Sequence, residues 1–251
     1  MDVTVCNMNG FKVFLFLLFA KCVLSDQGAL FEPCSTQDIA CLSRATQQFL
    51  EKACRGVPEY DIRPIDPLII PSLDVAAYDD IGLIFHFKNL NVTGLKNQKI
   101  SDFRMDTTRK SVLLKTQADL NLVADVVIEL SKQSKSFAGV MNIQASIIGG
   151  AKYSYDLQDD SKGVKHFEVG QETISCESIG EPAVNLNPEL ADALLKDPDT
   201  THYRKDYEAH RVSIRQRSLC KIVELCYIDV VHNIRAVAKI LPSTAFFTDV
   251  N

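Results

Sequence analysis

The sequence lacks most of the devices by which proteins hold metals, cut esters or grip nucleic acids. It has no Cys-x-x-Cys pair and no His-x₃-His spacing, so no local motif supplies a zinc framework. It has no Gly-x-Ser-x-Gly elbow, the turn that exposes a hydrolase serine. Of the five histidines, neither His86 nor His166 has a motif-like partner, so they read as surface or packing residues. A basic block is also missing, and the net charge is −5. That balance argues against nucleic acid and anionic membrane surfaces as partners. No metal or cofactor is expected, and an enzyme, such as an ester hydrolase, is disfavoured.

What is present begins with a leader. Lys12 precedes the apolar run VFLFLLFA (Val13 to Ala20), and Val23 and Ser25 stand three residues and one residue before Asp26. A cationic start, a short apolar core and small residues ahead of a cleavage point predict a secretory signal over residues 1–25. The run is too short to span a bilayer and Lys21 interrupts it. No later segment is apolar enough to cross, so membrane insertion is not expected. Residues 26–251 then form one secreted, extracellular domain in a compartment where disulfides persist. Asn91-Val92-Thr93 is an N-glycosylation sequon, making Asn91 a candidate glycan site if exposed.

Loss of Cys6 and Cys22 with the leader leaves Cys34, Cys41, Cys54, Cys176, Cys220 and Cys226. Ser35 and Asp38 mark a helix start, Leu42, Ala45, Phe49 and Ala53 recur at helical spacing, and Gly56 and Pro58 supply the stop. Cys41 and Cys54 lie thirteen residues apart on that helix, about 20 Å of rise, and cannot bond each other. Cys34, just ahead of the helix, folds back onto Cys41 and is its favoured partner. Cys220 and Cys226 share a second helix, about 9 Å and 120° apart, so Cys176 takes one of them. Cys226 sits among Ile222, Val223 and Val230, where a free thiol is comfortable. That leaves Cys220 for Cys176, and Cys54 and Cys226 as buried thiols.

Between these helices the periodicity changes. RPIDPLIIPSL carries Pro64, Pro67 and Pro71 and reads as extended. Leu83, Phe85 and Phe87 alternate with Ile84, His86 and Lys88 as a half-buried strand, and VTGLKNQKISDF reads as a turn and a returning strand. From Val112 to Leu130 apolar and polar residues alternate with no Gly or Pro. This predicts either one strand about 60 Å long or two around a tight bend. Alternation resumes after Phe137, with Gly149-Gly150 as a bulge or turn and Tyr153, Tyr155 and Leu157 on one face. DDSKG (Asp159 to Gly163) is a hairpin turn, GEPAVNLNPEL an irregular stretch, and PELADALLK a short helix. A stripe of Ala209, Val212, Leu219, Val223, Cys226, Val230, Ile234, Val237 and Ile240 predicts one helix from about His202 to Lys239. Its length matches the long strand, so a sheet with one dry face can wrap it.

These features, taken in order, resemble the insect haemolymph juvenile-hormone-binding proteins within the wider takeout-like family. The resemblance rests on the early cysteine pair, DPLIIP (Asp66 to Pro71), VTGL (Val92 to Leu95), the Gly-Gly-x-x-Tyr-x-Tyr strand (Gly149 to Tyr155) and the terminal ILPSTAFF (Ile240 to Phe247). It runs through nearly the whole chain after the leader, and the disulfides and paired tyrosines favour the hormone-binding branch. Cys54 and Cys226 are extra thiols without a family role. The resemblance implies an α+β fold of the tubular lipid-binding kind, a strongly curved antiparallel sheet around the C-terminal helix with an N-terminal lid helix. It also implies a monomeric haemolymph carrier with a deep apolar cavity at one end for a small apolar ligand, juvenile hormone, a sesquiterpenoid epoxy ester. The tyrosine that meets the epoxide corresponds to Tyr153, and the first helix with the C-terminal tail acts as a gate. The wall candidates are Ile39, Leu42, Phe49, Phe167 and Phe246. A carrier of another small lipid, such as a fatty acid or terpenoid odorant, is the alternative.

Overall fold

The computed structural model describes residues 30–250; the expected leader, with Cys6 and Cys22, lies outside the described residues. One antiparallel sheet dominates, built from β1 (Leu68–Tyr78), β2 (Leu83–Thr93), β3 (Lys99–Asp106), β4 (Ser111–Leu130), β5 (Lys135–Asp159) and β6 (Lys165–Leu186). The order is β1-β2-β4-β5-β6, with β3 also on β4. Of the two readings of the Val112–Leu130 alternation, the single strand is correct. β4 and β5 pair without a register shift from Ser111↔Ser154 to Leu130↔Lys135, forming an uninterrupted spine. Register shifts interrupt the flanking pairs at Lys88/Asn91, Gln144/Ser146 and Tyr153/Tyr155. Such irregularities raise the local twist, and the sheet curls into a half-barrel.

Among the described residues three α-helices accompany the sheet: α1 (Ile39–Ala53), α2 (Pro188–Lys196) and α3 (Thr200–Ile240). Asp38 caps α1 by accepting the Cys41 N–H at 2.9 Å. α3 has 41 residues, about 60 Å of rise. From Ile214 to Ala238 it presents Leu219, Ile222, Val223, Cys226, Tyr227, Val230, Val231 and Val237 to the sheet, all buried. Cys34–Cys41 and Cys176–Cys220 are bonded and Cys54 and Cys226 are free and buried. The second bond ties α3 to the midpoint of the edge strand β6, beside Gly149, which is paired with Cys176.

The structure differs from the sequence reading in four places. Gly149-Gly150 is neither bulge nor turn. Both residues keep regular register inside β5 with Thr116 and Lys115 on one side and Cys176 and Ser175 on the other. Gly149 answers a packing demand instead: a Cβ there would lie 2.2 Å from a ring carbon of Tyr227. GEPAVNL is irregular only at Gly180–Pro182, where pairing lapses between Ile179↔Ser146 and Ala183↔Gln144; its remainder is the last part of β6. Pro182 is tolerated because β6 is an edge strand and need not donate outward. The strand after VTGL does not return along β2. It takes the stretch of β4 edge that β2 leaves free, Lys99↔Gln117 to Asp106↔Ser111. Finally, Ala209 and Val212 are exposed, because the N-terminal part of α3 turns Tyr203 and Tyr207 inward instead.

Candidate functional site

At the end of the tube where α1 meets the chain terminus, a small pocket of about 60 Å³ is lined by Leu42, Ala45 and Phe49 from α1, Phe103 and Met105 from β3, Val112 from β4 and Tyr153 from β5. Phe167 of β6, Ile234 of α3, Phe31 of the N-terminal arm and Phe246 and Phe247 of the tail close it. The aromatic rings form a cluster: Phe31 stacks on Phe49 at 4.6 Å and meets Phe246 edge-on at 4.8 Å. Phe167 lies 5.3 Å from Phe247 and 5.1 Å from Tyr155. Rings at these separations add attraction beyond their buried area, so the cover over the pocket is cohesive.

Tyr153 is the polar exception in this wall. It is 4% exposed, its hydroxyl has no hydrogen-bond partner among the described residues, and burial alone pushes its pKa well above the ordinary phenol value. Thr46, the other neutral polar group of the lining, is satisfied by donating to the Leu42 carbonyl at 2.8 Å; Glu32 sits exposed at the rim. An idle buried O–H is costly unless something accepts from it. The pocket can thus hold an apolar molecule that carries one acceptor oxygen near Tyr153.

The sequence candidates Tyr153, Leu42, Phe49, Phe167 and Phe246 all converge here. Ile39 does not: it is 36% exposed and outside the lining. It lies in the first turn of α1, about 60° round the helix from Leu42, on the solvent shoulder rather than over the pocket. Phe31, Met105 and Phe247 were not legible as wall residues. Phe31 precedes any periodic element, and Phe247, like Phe246, lies in a tail with no period to assign it a face. Asn91 is exposed on β2, as a glycan site requires.

The arm and tail are joined as well as adjacent. The Cys34 N–H donates to the Phe246 carbonyl and the Thr248 N–H to the Cys34 carbonyl, each at 3.0 Å. The Asp249 carboxylate accepts from the Thr36 N–H at 3.0 Å, the Ser35 hydroxyl at 2.8 Å and the Thr36 hydroxyl at 2.9 Å. The Thr36 amide is the main cause holding the Asp249 carboxyl below the ordinary carboxylate range. Beneath the pocket the tube is solid. Tyr227, 0% exposed, shares a short hydrogen bond with Thr116, which donates to Gln98 Oε1 at 2.9 Å. Burial pushes the Tyr227 hydroxyl up to about 12. Gln47 of α1 ties the lid to this network by donating to the Gln98 carbonyl at 2.9 Å and accepting from the Ile100 N–H at 2.8 Å.

His86 lies away from the pocket, on β2, between Asp74 and Glu129 at 2.8 Å each. The Asp74 carboxylate, then that of Glu129, raises its pKa. Among the described residues no helix is long and apolar enough to cross a membrane.

Comparison with known proteins agrees with this architecture. The crystal structure of Takeout 1 from Epiphyas postvittana superposes with a TM-score of 0.71 at 20% identity, covering 86% of this chain and 99% of that one. The likeness establishes the takeout-type fold. A juvenile hormone-binding protein of Manduca sexta is 98% identical over 229 residues, 91% of this chain and 100% of that protein. Residues 13–128 match the model of the haemolymph juvenile hormone binding protein family, and with so near a relative matched from end to end, the chain belongs to that family.

Proposed function

We propose that the protein is a secreted haemolymph carrier that binds juvenile hormone in the pocket beneath α1, with Tyr153 donating to the hormone's epoxide oxygen. The observation that carries this reading is the idle Tyr153 hydroxyl in an otherwise apolar aromatic wall. The name of the Manduca sexta relative supports the ligand class and the absence of catalysis. Residues 26–251 act as one monomeric domain released from its leader, and Asn91 carries the glycan.

Burying about 350 Å² of ligand gives a gross term near 9 kcal/mol at about 25 cal/mol per Å², and association costs remove several kcal/mol of it. One hydrogen bond adds about 1 kcal/mol. Apolar burial therefore sets the affinity and Tyr153 the preference for the epoxide. A cavity of about 60 Å³ is well below the roughly 300 Å³ at which ligand pockets begin. Entry thus requires α1 and the tail to swing outward, which makes them the gate. Tyr153→Phe is expected to weaken hormone binding several-fold while leaving the epoxide-free analogue nearly unaffected. Equal losses for both ligands in a labelled-hormone assay would remove Tyr153 from that role.

A further inference from the structure

A second cavity, of about 370 Å³, lies at the opposite end of the tube. Its walls are mostly aliphatic, with Leu83 and the one phenylalanine, Phe85, from β2, Ile128 from β4 and Met141 and Ile143 from β5, and α2 with the first turns of α3 borders its mouth. It falls within the size range of pockets that hold small ligands. The Tyr227–Thr116–Gln98 core separates it from the pocket beneath α1.

The mouth carries charge, and that charge is matched with one exception. Arg215 donates to Glu181 at 2.8 Å and to the Tyr207 hydroxyl at 3.1 Å, and Glu208 accepts from Arg211 at 2.8 Å. Arg204, also in the lining, has no carboxylate partner among the described residues. Its closest polar contact is the Leu195 carbonyl at 3.5 Å. An apolar chamber with an unmatched guanidinium at its entrance is complementary to an amphiphile with a single anionic head.

We propose that this distal cavity is a second, independent binding site for a single-chain fatty carboxylate, its tail in the chamber and its carboxylate at Arg204. The site stands whether or not the proximal pocket takes hormone. It uses different side chains and a different recognition chemistry, an ion pair where Tyr153 offers a neutral donor.

The chain contains no tryptophan, and Leu195, 59% exposed, borders the mouth. Leu195→Trp in the full chain therefore installs a single reporter there. The probe is cis-parinaric acid, read by energy transfer from the introduced indole, with methyl parinarate as the uncharged control. The expected result is saturation at one equivalent that persists under excess juvenile hormone. Adding Arg204→Glu should weaken the acid roughly tenfold and spare the ester, and Ile143→Phe, which fills the chamber, should weaken both. Absence of energy transfer, or displacement of the probe by the hormone, would overturn the independent site. Equal weakening of acid and ester by Arg204→Glu would overturn the head-group assignment. Arg204 is exposed, so this comparison survives even if Ile143→Phe misfolds.

Discussion

The two ends of the tube solve closure differently. The end beneath α1 is nearly shut: aromatic rings fill it, a disulfide and three carboxylate hydrogen bonds fasten its cover, and about 60 Å³ remains. The far end keeps about 370 Å³ between mostly aliphatic strand residues and carries neither disulfide. Between them lies a packed middle, stapled by Cys176–Cys220 and plugged by Tyr227 against Gly149. The same alternating strands run through all three regions, so the sheet alone does not decide where a cavity forms. The decision falls to what the helices and termini place over it. Rings and fasteners give a nearly closed pocket, a short helix gives an open chamber, and a tyrosine set into a glycine gap gives solid core.

The middle is where disruption should cost most. Replacing both Cys176 and Cys220 with Ser frees a 44-residue loop and is expected to remove about 2–4 kcal/mol of unfolding free energy, read from the urea midpoint. Gly149→Ala should follow at about 2 kcal/mol, because the added methyl collides with a ring locked in close packing. Pairing it with Tyr227→Leu should recover part of the loss, a non-additivity that marks a direct contact. Additive losses would mean that the glycine serves something other than Tyr227.

The ease of reading these regions from sequence follows their physics. The long strand and helix were legible because alternation and a 3.6-residue stripe repeat over many residues, and the disulfides because helical rise leaves few permitted pairings. Gly149 was misread because a glycine kept free for a ring 78 positions away in the chain looks the same as one kept for a bend. Tyr227, beside Cys226 of the helical stripe, went unread for the same reason: its meaning depends on the partner across the core. On the pocket wall, Leu42, Phe49, Tyr153 and Phe167 on periodic elements were found, with Phe246 of the tail, whereas Phe31 and Phe247 lie in the arm and tail and Met105 on the short strand β3. Ile39 was mistaken because a helix face is a continuous angle and its first turn stands at the margin. The distal chamber left no sequence signal, since strand residues lining a void alternate as those filling a core do.

At the gated end the effects should appear in rates before they appear in stability. Cys34–Cys41 closes only a short loop, with a sequence separation of 7, and the Cys34 backbone still pairs with Phe246 and Thr248 when the bond is absent. Replacing both cysteines with Ser should leave the sheet folded and the distal probe affinity unchanged while hormone release quickens severalfold in a stopped-flow chase. An unchanged release rate would reduce the bond to bracing of the arm.

The smallest of these effects, and the most specific to the gate, belongs to Asp249. Its carboxylate accepts from Thr36 and Ser35, and these donors, the Thr36 amide foremost, lower its pKa when the tail is docked. A group whose pKa falls on docking stabilises the docked state above its free value, about 3.9. That contribution is lost as pH drops through the lowered value. The latch is thus fully engaged at neutral pH and slips only in acid. Asp249→Asn removes the charge and replaces one of the two accepting oxygens with an NH2 donor, so hormone should leave modestly faster at pH 7. The parent protein should release hormone faster below about pH 4, and the variant should lack that acid acceleration. Since the distal chamber has no contact with the tail, parinaric acid release should follow the same pH course in both proteins. A parallel change at the two ends would show that the core between them transmits motion rather than isolating it.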